Sequence, residues 1–291
     1  MHGGAVPWAA VLRIPPPADL PLQVARALAE DIGSGDVTAA LIPEGSPGTA
    51  TVITREPAVI CGLPYVEAIF AQLDPTVRVG CLVAEGDRAM ADQPLFTVTG
   101  PARSLLIGER TALNFVQLLS ATATQARRYA ELVAGTGCRV LDTRKTIPGL
   151  RTAQKYAVRV GGATNHRVGL YDGVLIKENH IAAAGSITAA VGVARQLHHA
   201  LPIEVEVEDI AGLREAIAAG ADIALLDNFT LAAMREAVAL NRSAPQPIRL
   251  EASGGVSAET IREIALTGVD YVSVGAITKN VLAIDLSMRF G

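Results

Sequence analysis

The sequence predicts an α/β protein, with a small α/β domain followed by a closed or nearly closed parallel barrel over its last two thirds. Three observations predict it. Beyond Gly137 short apolar runs alternate with helical patterns, each run closes on polar residues, and between Thr49 and Val98 the pattern is of a different kind. With 291 residues, 50% of them hydrophobic, the chain has ample material for one large α/β domain or two unequal ones.

The first 20 residues read as an arm. Their apolar run Ala5 to Leu12 is interrupted by Pro7 and has no Lys or Arg before Arg13, so it fits neither a secretory signal nor a membrane span, and Pro15-Pro16-Pro17 is extended. Helical spacing of apolar residues runs from Leu22 to Asp31 and is broken by Gly33-Ser34-Gly35-Asp36. The segments 49–54 and 94–99 have strand composition and are separated by Gly and Pro, which predicts an open, mostly antiparallel sheet. A long helix follows from about Ser104 to Ala134, with no Gly or Pro after Gly108. The domain boundary is placed near residue 115, giving a first domain over 21–115 and a barrel over 116–281.

Six runs then read as parallel strands, at 139–142, 173–177, 202–208, 223–227, 248–252 and 269–275, with helical patterns at 186–199, 213–219, 231–240 and 258–267. A doubly wound open sheet is the alternative. It lacks the strand, Gly-x-Gly-x-x-Gly turn and helix that a dinucleotide fold requires.

The net charge of −4 and the small aromatic set of one Trp, five Tyr and five Phe provide no field or stacking surface for nucleic acid. Cys61, Cys81 and Cys138 have no metal-ligand spacing and read as reduced thiols of a cytoplasmic protein.

In a parallel barrel the strand carboxyl ends form the active-site face. Here they carry Asp142-Thr143-Arg144-Lys145, Lys177-Glu178-Asn179-His180, Glu206 with Glu208, Asp227-Asn228, Ser253-Gly254-Gly255 and Gly275-Ala276. A solvated rim would also be polar, but endings that are nearly all polar, strand after strand, favour a site. Between Asp142 and His180 seven Lys and Arg face three carboxylates, a local basic region in an acidic chain. Arg144 and Arg167 offer forks for carboxylate or phosphate, while Lys145 and Lys177 are point charges. Arg151, Lys155 and Arg159 recur every four residues on a predicted helix, where a solvated stripe is as good a reading as a site, and they are left out of the candidate set.

His166 sits within this cationic segment and reads as a hydrogen-bond donor to a carboxylate or a ring nitrogen. Glu206 and Asp227, at the ends of different strands, suit Mg²⁺ or sugar hydroxyls beside a phosphate. Period-two alternation puts Glu204, Glu206 and Glu208 on one face, so the pattern leaves open which of them enters the site. The Gly254-Gly255 and Gly275 turns expose backbone N–H groups as phosphate cradles, the former expected to run into a helix amino terminus.

These motifs resemble those of the quinolinate phosphoribosyltransferases, also called carboxylating nicotinate-nucleotide pyrophosphorylases. The likeness is carried by Glu30-Asp-Ile-Gly-Ser-Gly-Asp-Val-Thr38, Glu109-Arg-Thr-Ala-Leu-Asn114, Leu141-Asp-Thr-Arg-Lys-Thr-Ile-Pro-Gly-Leu150, Asn165-His-Arg167, Leu175-Ile-Lys-Glu-Asn-His180, Glu204-Val-Glu-Val207, Leu225-Leu-Asp-Asn228, Glu251-Ala-Ser-Gly-Gly255 and Val274-Gly-Ala-Ile-Thr278. It covers nearly the whole chain after residue 22.

The resemblance implies an amino-terminal α/β sandwich, joined by residues 282–291, and an incomplete parallel barrel. It implies transfer of phosphoribosyl from phosphoribosyl pyrophosphate to quinolinate with decarboxylation, Mg²⁺ as the metal, and a homodimer or higher homo-oligomer with shared sites. By similarity Arg144, His166, Arg167 and Lys177 surround the quinolinate carboxylates, with Arg110 supplied by a neighbouring subunit. Lys145, Glu206, Asp227, Ser253, Gly254, Gly255 and Gly275 hold the donor and its metal, and Lys145, Lys177, Glu206 and Asp227 make up the catalytic set.

Two positions depart from the family pattern: Ala121, where glycine is frequent, and Lys279, where some members have histidine. The rival readings are a paralogue found with molybdate-transport genes, which uses another acceptor, and a non-catalytic sensor of a phosphorylated metabolite.

Overall fold

The computed structural model describes residues 14–291, so most of the predicted arm lies outside the described residues. The chain forms two compact units, one of Met1–Ser120 with Ile284–Gly291 and one of Ala121–Ala283.

In the first unit helix α1 (Leu20–Ile32) takes Pro21 in its opening turn, where a missing N–H costs nothing, and stops at Gly33 with φ 52°. Leu20, Val24 and Leu28 repeat every four residues and are buried. Gln23 beside them accepts a hydrogen bond from Tyr65 Oη at 2.9 Å. The strands are β1 (Pro47–Thr54), β2 (Ala58–Val59), β3 (Arg78–Cys81), β4 (Arg88–Ala89) and β5 (Pro94–Pro101). The final strand Leu286–Phe290, β1, β5 and β3 lie in that order as an antiparallel sheet, and β2 pairs with β4. Helix α2 (Leu63–Leu73) begins where the Gly62 and Leu63 N–H groups donate to the Glu85 carboxylate at 2.7 and 3.1 Å. That contact answers the positive end of the helix with a negative charge. Helix α3 (Ala102–Leu132) is the long predicted helix, displaced by two residues at each end.

The second unit holds β6 (Arg139–Leu141), β7 (Val174–Ile176), β8 (Ile203–Val207), β9 (Ile223–Asp227), β10 (Arg249–Ser253) and β11 (Tyr271–Ser273). They form a six-stranded sheet in the order β6-β11-β10-β9-β8-β7, every pairing parallel. The first two strands in sequence are therefore its two edges, and the barrel is incomplete. On the β6 edge Leu141 makes a single parallel bridge to Thr164, with Thr164 N donating to Val140 O at 2.9 Å and Asp142 N to Thr164 O at 3.1 Å.

Period-two alternation decides the two faces. Val205, Val207, Ala224, Leu226, Leu250, Ala252 and Val272 join the core with residues of helices α6 (Ile187–Leu197), α7 (Ile210–Ala218), α8 (Leu231–Ser243) and α9 (Ile261–Ala265). Each large side chain in that layer contributes roughly 1.5–3 kcal/mol by leaving water. The opposite parity carries the polar set, which the pleat turns away from this core.

Helix α4 (Arg151–Val160) follows β6, α5 (Glu178–Ala184) follows β7, and α10 (Ala276–Lys279) follows β11. Lys177 directly follows β7, as expected of a strand ending, and also caps α5, its N–H donating to His180 Nδ1 at 3.0 Å, so that Glu178 to His180 form the first turn of a helix. The helix buries no residue and so has no apolar stripe to betray it.

Candidate active site

Going round the sheet from β7 to β6, the strand-end positions of inward parity are Lys177, Glu206, Asp227, Ser253, Gly275 and Thr143. Registry links them: Glu206 lies opposite Leu225, Asp227 opposite Ser253, and Ser273 opposite Leu141. Lys177 Nζ donates to Glu206 Oε2 at 2.5 Å. Asn228, with φ 54°, donates from Nδ2 to Asp227 Oδ2 at 2.9 Å. Gly254, with φ 97°, passes so near that an added Cβ would stand 2.1 Å from Asn228 Oδ1, so this turn needs glycine for conformation and for space. Gly275 has an ordinary helical φ of −67°, and glycine serves there to admit the Lys145 stem, whose Cδ would lie 3.2 Å from a Cβ. Thr143 Oγ1 accepts from Lys145 N–H at 3.0 Å, and Lys145 O accepts from Thr278 Oγ1 at 2.8 Å.

Gly254-Gly255 does not run directly into a helix, contrary to the sequence expectation. Both glycines are left-handed, a turn closed by Ser257 N–H donating to Thr260 Oγ1 follows, and α9 starts only at Ile261.

The second feature is a pair of guanidinium groups. Burial and the neighbouring Arg144 charge lower the pKa of Arg167, with Glu204 and Asp172 opposing. Arg167 Nη1 donates to Gly173 O at 2.9 Å. Arg144 Nε is buried with no hydrogen-bond partner. Two cations so close, one holding a buried donor in reserve, form a site that calls for an anion. Arg151, half-buried, is tied to Thr146 Oγ1 at 3.1 Å and Val168 O at 3.2 Å and so braces the segments carrying both arginines.

Beneath them lies a buried network that sequence reasoning left aside. Lys155 is buried, not on a solvated stripe, and its ammonium meets Asp142, which is fully buried. Asp142 also accepts from His166 N–H at 2.9 Å and Asn165 Nδ2 at 2.6 Å, while Lys155 donates to His166 O at 2.9 Å. Burial pushes the Asp142 carboxyl up and the Lys155 ammonium down, and their mutual attraction opposes both shifts.

His166 is committed on both sides of its ring, with Nδ1 accepting from Arg167 N–H at 2.8 Å and Nε2 lying 2.8 Å from Glu204 Oε2. Glu204, the buried member of the three glutamates, thus serves His166, while Glu206 meets Lys177 and Glu208 is exposed. Glu251 is 1% exposed and sits 3.5 Å from His166 Nε2. No role was read for it in the sequence. The available signal was a charge in mid-strand, at the same parity as Ser253, between Leu250 and Ala252.

A cavity of about 400 Å³ runs beside this network, lined by Thr164, His166, Arg167, Glu204, Glu251 and Tyr271 among others. A larger cleft of about 600 Å³, with Asp222, Arg242, Arg249 and Asp270, adjoins the amino ends of β9, β10 and β11, the end of a barrel that carries stability more than chemistry.

His166, Glu204 and Glu251 present atoms within 4.8 Å of one another, a spacing that a metal ion could use. The histidine tautomer argues against one there. Because Nδ1 accepts the Arg167 N–H, the ring proton must sit on Nε2, the atom a metal would need. Glu206 and Asp227 fit Mg²⁺ better, being half-buried carboxylates on adjacent strands that each use one oxygen in a hydrogen bond described here. Arg110 is exposed on α3 in the first unit. Among the described residues no helix is long and apolar enough to cross a membrane.

Fold and site together define an α/β-barrel protein with a cation-rich ligand site at its strand ends. The family models for the N-terminal and C-terminal domains of quinolinate phosphoribosyl transferase match residues 36–120 and 122–289. The chain belongs to the quinolinate phosphoribosyl transferase family. It is 46% identical over 263 residues to a probable carboxylating nicotinate-nucleotide pyrophosphorylase of Synechocystis sp., covering 90% of this chain and 89% of that one. To the Mycobacterium leprae carboxylating nicotinate-nucleotide pyrophosphorylase it is 43% identical over 269 residues, with coverages of 91% and 95%. The solved structure of the Francisella tularensis nicotinate-nucleotide pyrophosphorylase superposes with a TM-score of 0.90 at 45% identity, covering 94% of this chain and 97% of that one.

Proposed function

We propose that the strand-end ring and the paired guanidinium groups carry out the family's reaction. The chain is an enzyme of NAD biosynthesis that transfers phosphoribosyl from phosphoribosyl pyrophosphate to the nitrogen of quinolinate. The carboxylate beside that nitrogen leaves as CO₂, and the products are nicotinate mononucleotide and pyrophosphate. The observation that carries the acceptor assignment is the juxtaposition of Arg144 and Arg167, with Arg144 Nε buried and unpartnered. A dicarboxylate answers both charges in one plane.

In this reading Arg144, Arg167 and Lys177 orient the two carboxylates, with Arg110 supplied by the partner subunit of a homodimer or higher homo-oligomer. His166 holds the Arg167 backbone, since its ring nitrogens are already engaged. Displacement at the sugar carbon builds oxocarbenium charge, which the Glu206 and Asp227 carboxylates stabilise. Lys145 meets the leaving pyrophosphate, and Ser253, Gly254, Gly255 and Gly275 allow the donor phosphates close to the backbone. Mg²⁺, held by Glu206 and Asp227, supplies charge neutralisation on the pyrophosphate. Loss of CO₂ leaves an electron pair on a ring carbon beside the pyridinium nitrogen, and that carbon then takes a proton from water to give the product, so the substrate is its own electron sink and the protein's share is positioning. The setting is cytoplasmic.

The test is incubation with quinolinate, phosphoribosyl pyrophosphate and Mg²⁺, following nicotinate mononucleotide, pyrophosphate and CO₂ in equal amounts. Turnover of a different ring acid with none of quinolinate would sink the acceptor assignment.

A further inference from the structure

Arg151 and Gln154 stand three residues apart on one face of α4, and both turn towards the loop that carries Arg144 and Lys145. Each holds different partners. The Arg151 guanidinium donates from Nη2 to Arg144 O at 3.4 Å, from Nε to Thr146 Oγ1 at 3.1 Å and from Nη1 to Val168 O at 3.2 Å. It therefore ties the backbone at Arg144 to the backbone immediately after Arg167. The Arg144 charge acts against Arg167, so before an anion arrives the two guanidinium groups push their chains apart, and a tie between the carbonyls at their roots opposes that push. A planar fork with several fixed N–H donors can reach three oxygens in different directions, whereas a lysine ammonium on a flexible stem cannot hold that geometry.

Gln154 serves the other end of the loop. It has no exposure, its Oε1 accepts from Ile147 N–H at 2.8 Å, and its Nε2 donates to Thr278 O at 2.8 Å. Thr278, equally buried in α10, donates from Oγ1 to Lys145 O at 2.8 Å. Lys145 is thus held at its carbonyl by Thr278 and at its N–H by Thr143 Oγ1 at 3.0 Å, with its stem laid against Gly275. Among the described residues neither the Gln154 nor the Thr278 side chain bonds to Arg144 or Arg167, and Arg151 does not bond to Lys145.

We propose that helix α4 positions the two cationic ends of the site separately, Arg151 fixing the spacing of Arg144 and Arg167 for the acceptor and Gln154, through Thr278, fixing Lys145 for the donor. Arg151, Gln154 and Thr278 are then positioning residues, each acting through a backbone group of a residue that meets substrate. The separation is what marks the role as functional. A helix that merely stabilised the loop would, when weakened, cost both substrates alike. Two ties that end on different residues cost one substrate each, because the acceptor pair answers to Arg151 and the donor lysine to Thr278.

This inference rests on the quinolinate reading for its kinetic readout, but not for a second one taken without substrate. With the other substrate saturating, Arg151→Met should raise the KM for quinolinate about tenfold or more and leave that for phosphoribosyl pyrophosphate within about twofold, as expected when hydrogen bonds from a charged group are lost. Thr278→Val should do the reverse, raising the donor KM about fivefold, the factor for one neutral hydrogen bond, with the quinolinate KM within about twofold. Arg151→Lys keeps the charge and loses the fork, so it should follow the methionine variant, and in the double variant Arg151→Met, Thr278→Val each change should persist on its own substrate. Both KM values rising together in either single variant, or a quinolinate KM within about twofold of wild type in Arg151→Lys, would overturn the proposal.

Hydrogen exchange followed by mass spectrometry supplies the second readout. Arg151→Met should exchange faster over residues 143–150 and 164–172, and Thr278→Val over 143–150 alone. Unchanged exchange over 164–172 in Arg151→Met would also overturn the proposal. Arg151→Lys carries both measurements if the methionine variant does not fold. Wild-type protein that fails to turn over quinolinate, alongside variants with the expected exchange, would defeat the proposed reaction and support the two ties.

Discussion

Replacing Lys155 by methionine removes the sole ammonium from a pocket in which Asp142 has no exposure. Methionine keeps most of the volume, so the effect reports the charge more than a cavity. A carboxylate left buried without its cation costs roughly 3–5 kcal/mol. The His166 carbonyl also loses its donor at 2.9 Å, which adds about 1 kcal/mol at most. At roughly 2–4 °C per kcal/mol for a domain of this size, the barrel transition should fall by about 6–24 °C.

The assay is urea unfolding of the variant beside wild type, together with the double variant Lys155→Met, Asp142→Leu. The double variant removes the stranded charge but leaves the Asn165 Nδ2 and His166 N–H donors unanswered, so it should recover part of the loss and settle roughly 2 kcal/mol below wild type. Quinolinate KM should rise with the stability loss, because the pair anchors the backbone immediately before Arg167. A loss below about 1 kcal/mol, the size found for exposed ion pairs, would refute the view that this contact holds the segment.

Arg144→Lys should raise the KM for quinolinate by about tenfold or more, since a point charge cannot reproduce a two-pronged bond worth roughly 1.5–3 kcal/mol; a change under about twofold in steady-state kinetics would count against it. Arg110→Ala and Lys177→Ala proteins, each inactive alone, should regain activity when their subunits are exchanged, and no recovery despite proven mixing would argue against a site shared between subunits. For Glu251 the sign follows from its raised folded pKa. The folded state keeps a proton that the unfolded chain releases above its ordinary value of 4.5, so this residue's contribution is present below that pH and is lost as pH rises through the folded pKa. Glu251→Gln has no such proton to hold, so its urea midpoint relative to wild type should increase from about pH 5 to about pH 8. A pH-independent difference would show that Glu251 does not titrate as argued.

The six barrel strands and the helices outside them were legible because period two and period 3.6 are direct consequences of packing one face on a core. The strand endings were legible for the same reason, since a residue two places beyond an inward apolar one points inward as well. What escaped was pairwise. Arg151, Lys155 and Arg159 share a spacing, but Lys155 is buried because Asp142 comes back against it from a strand 13 residues earlier, and no local pattern records that. Glu204, Glu206 and Glu208 are equivalent by alternation, and only their depth in the sheet assigns Glu204 to His166 and Glu206 to Lys177. Helix α5 escaped because it covers nothing.

A barrel closed all round commits each strand to two neighbours, so a change in any one of them disturbs the ladder. Here β6 and β7 are both free along one side, and the stretch from Thr164 to Arg167 leans on the first by one bridge and reaches the second through one guanidinium. That stretch carries Arg167, one of the groups proposed to meet the acceptor, yet little of the sheet's hydrogen bonding depends on it. Glu206, Asp227 and Ser253, by contrast, stand on strands β8, β9 and β10, each paired on both sides, so a change in the Thr164 to Arg167 stretch should disturb the ladder less than a change beside those residues.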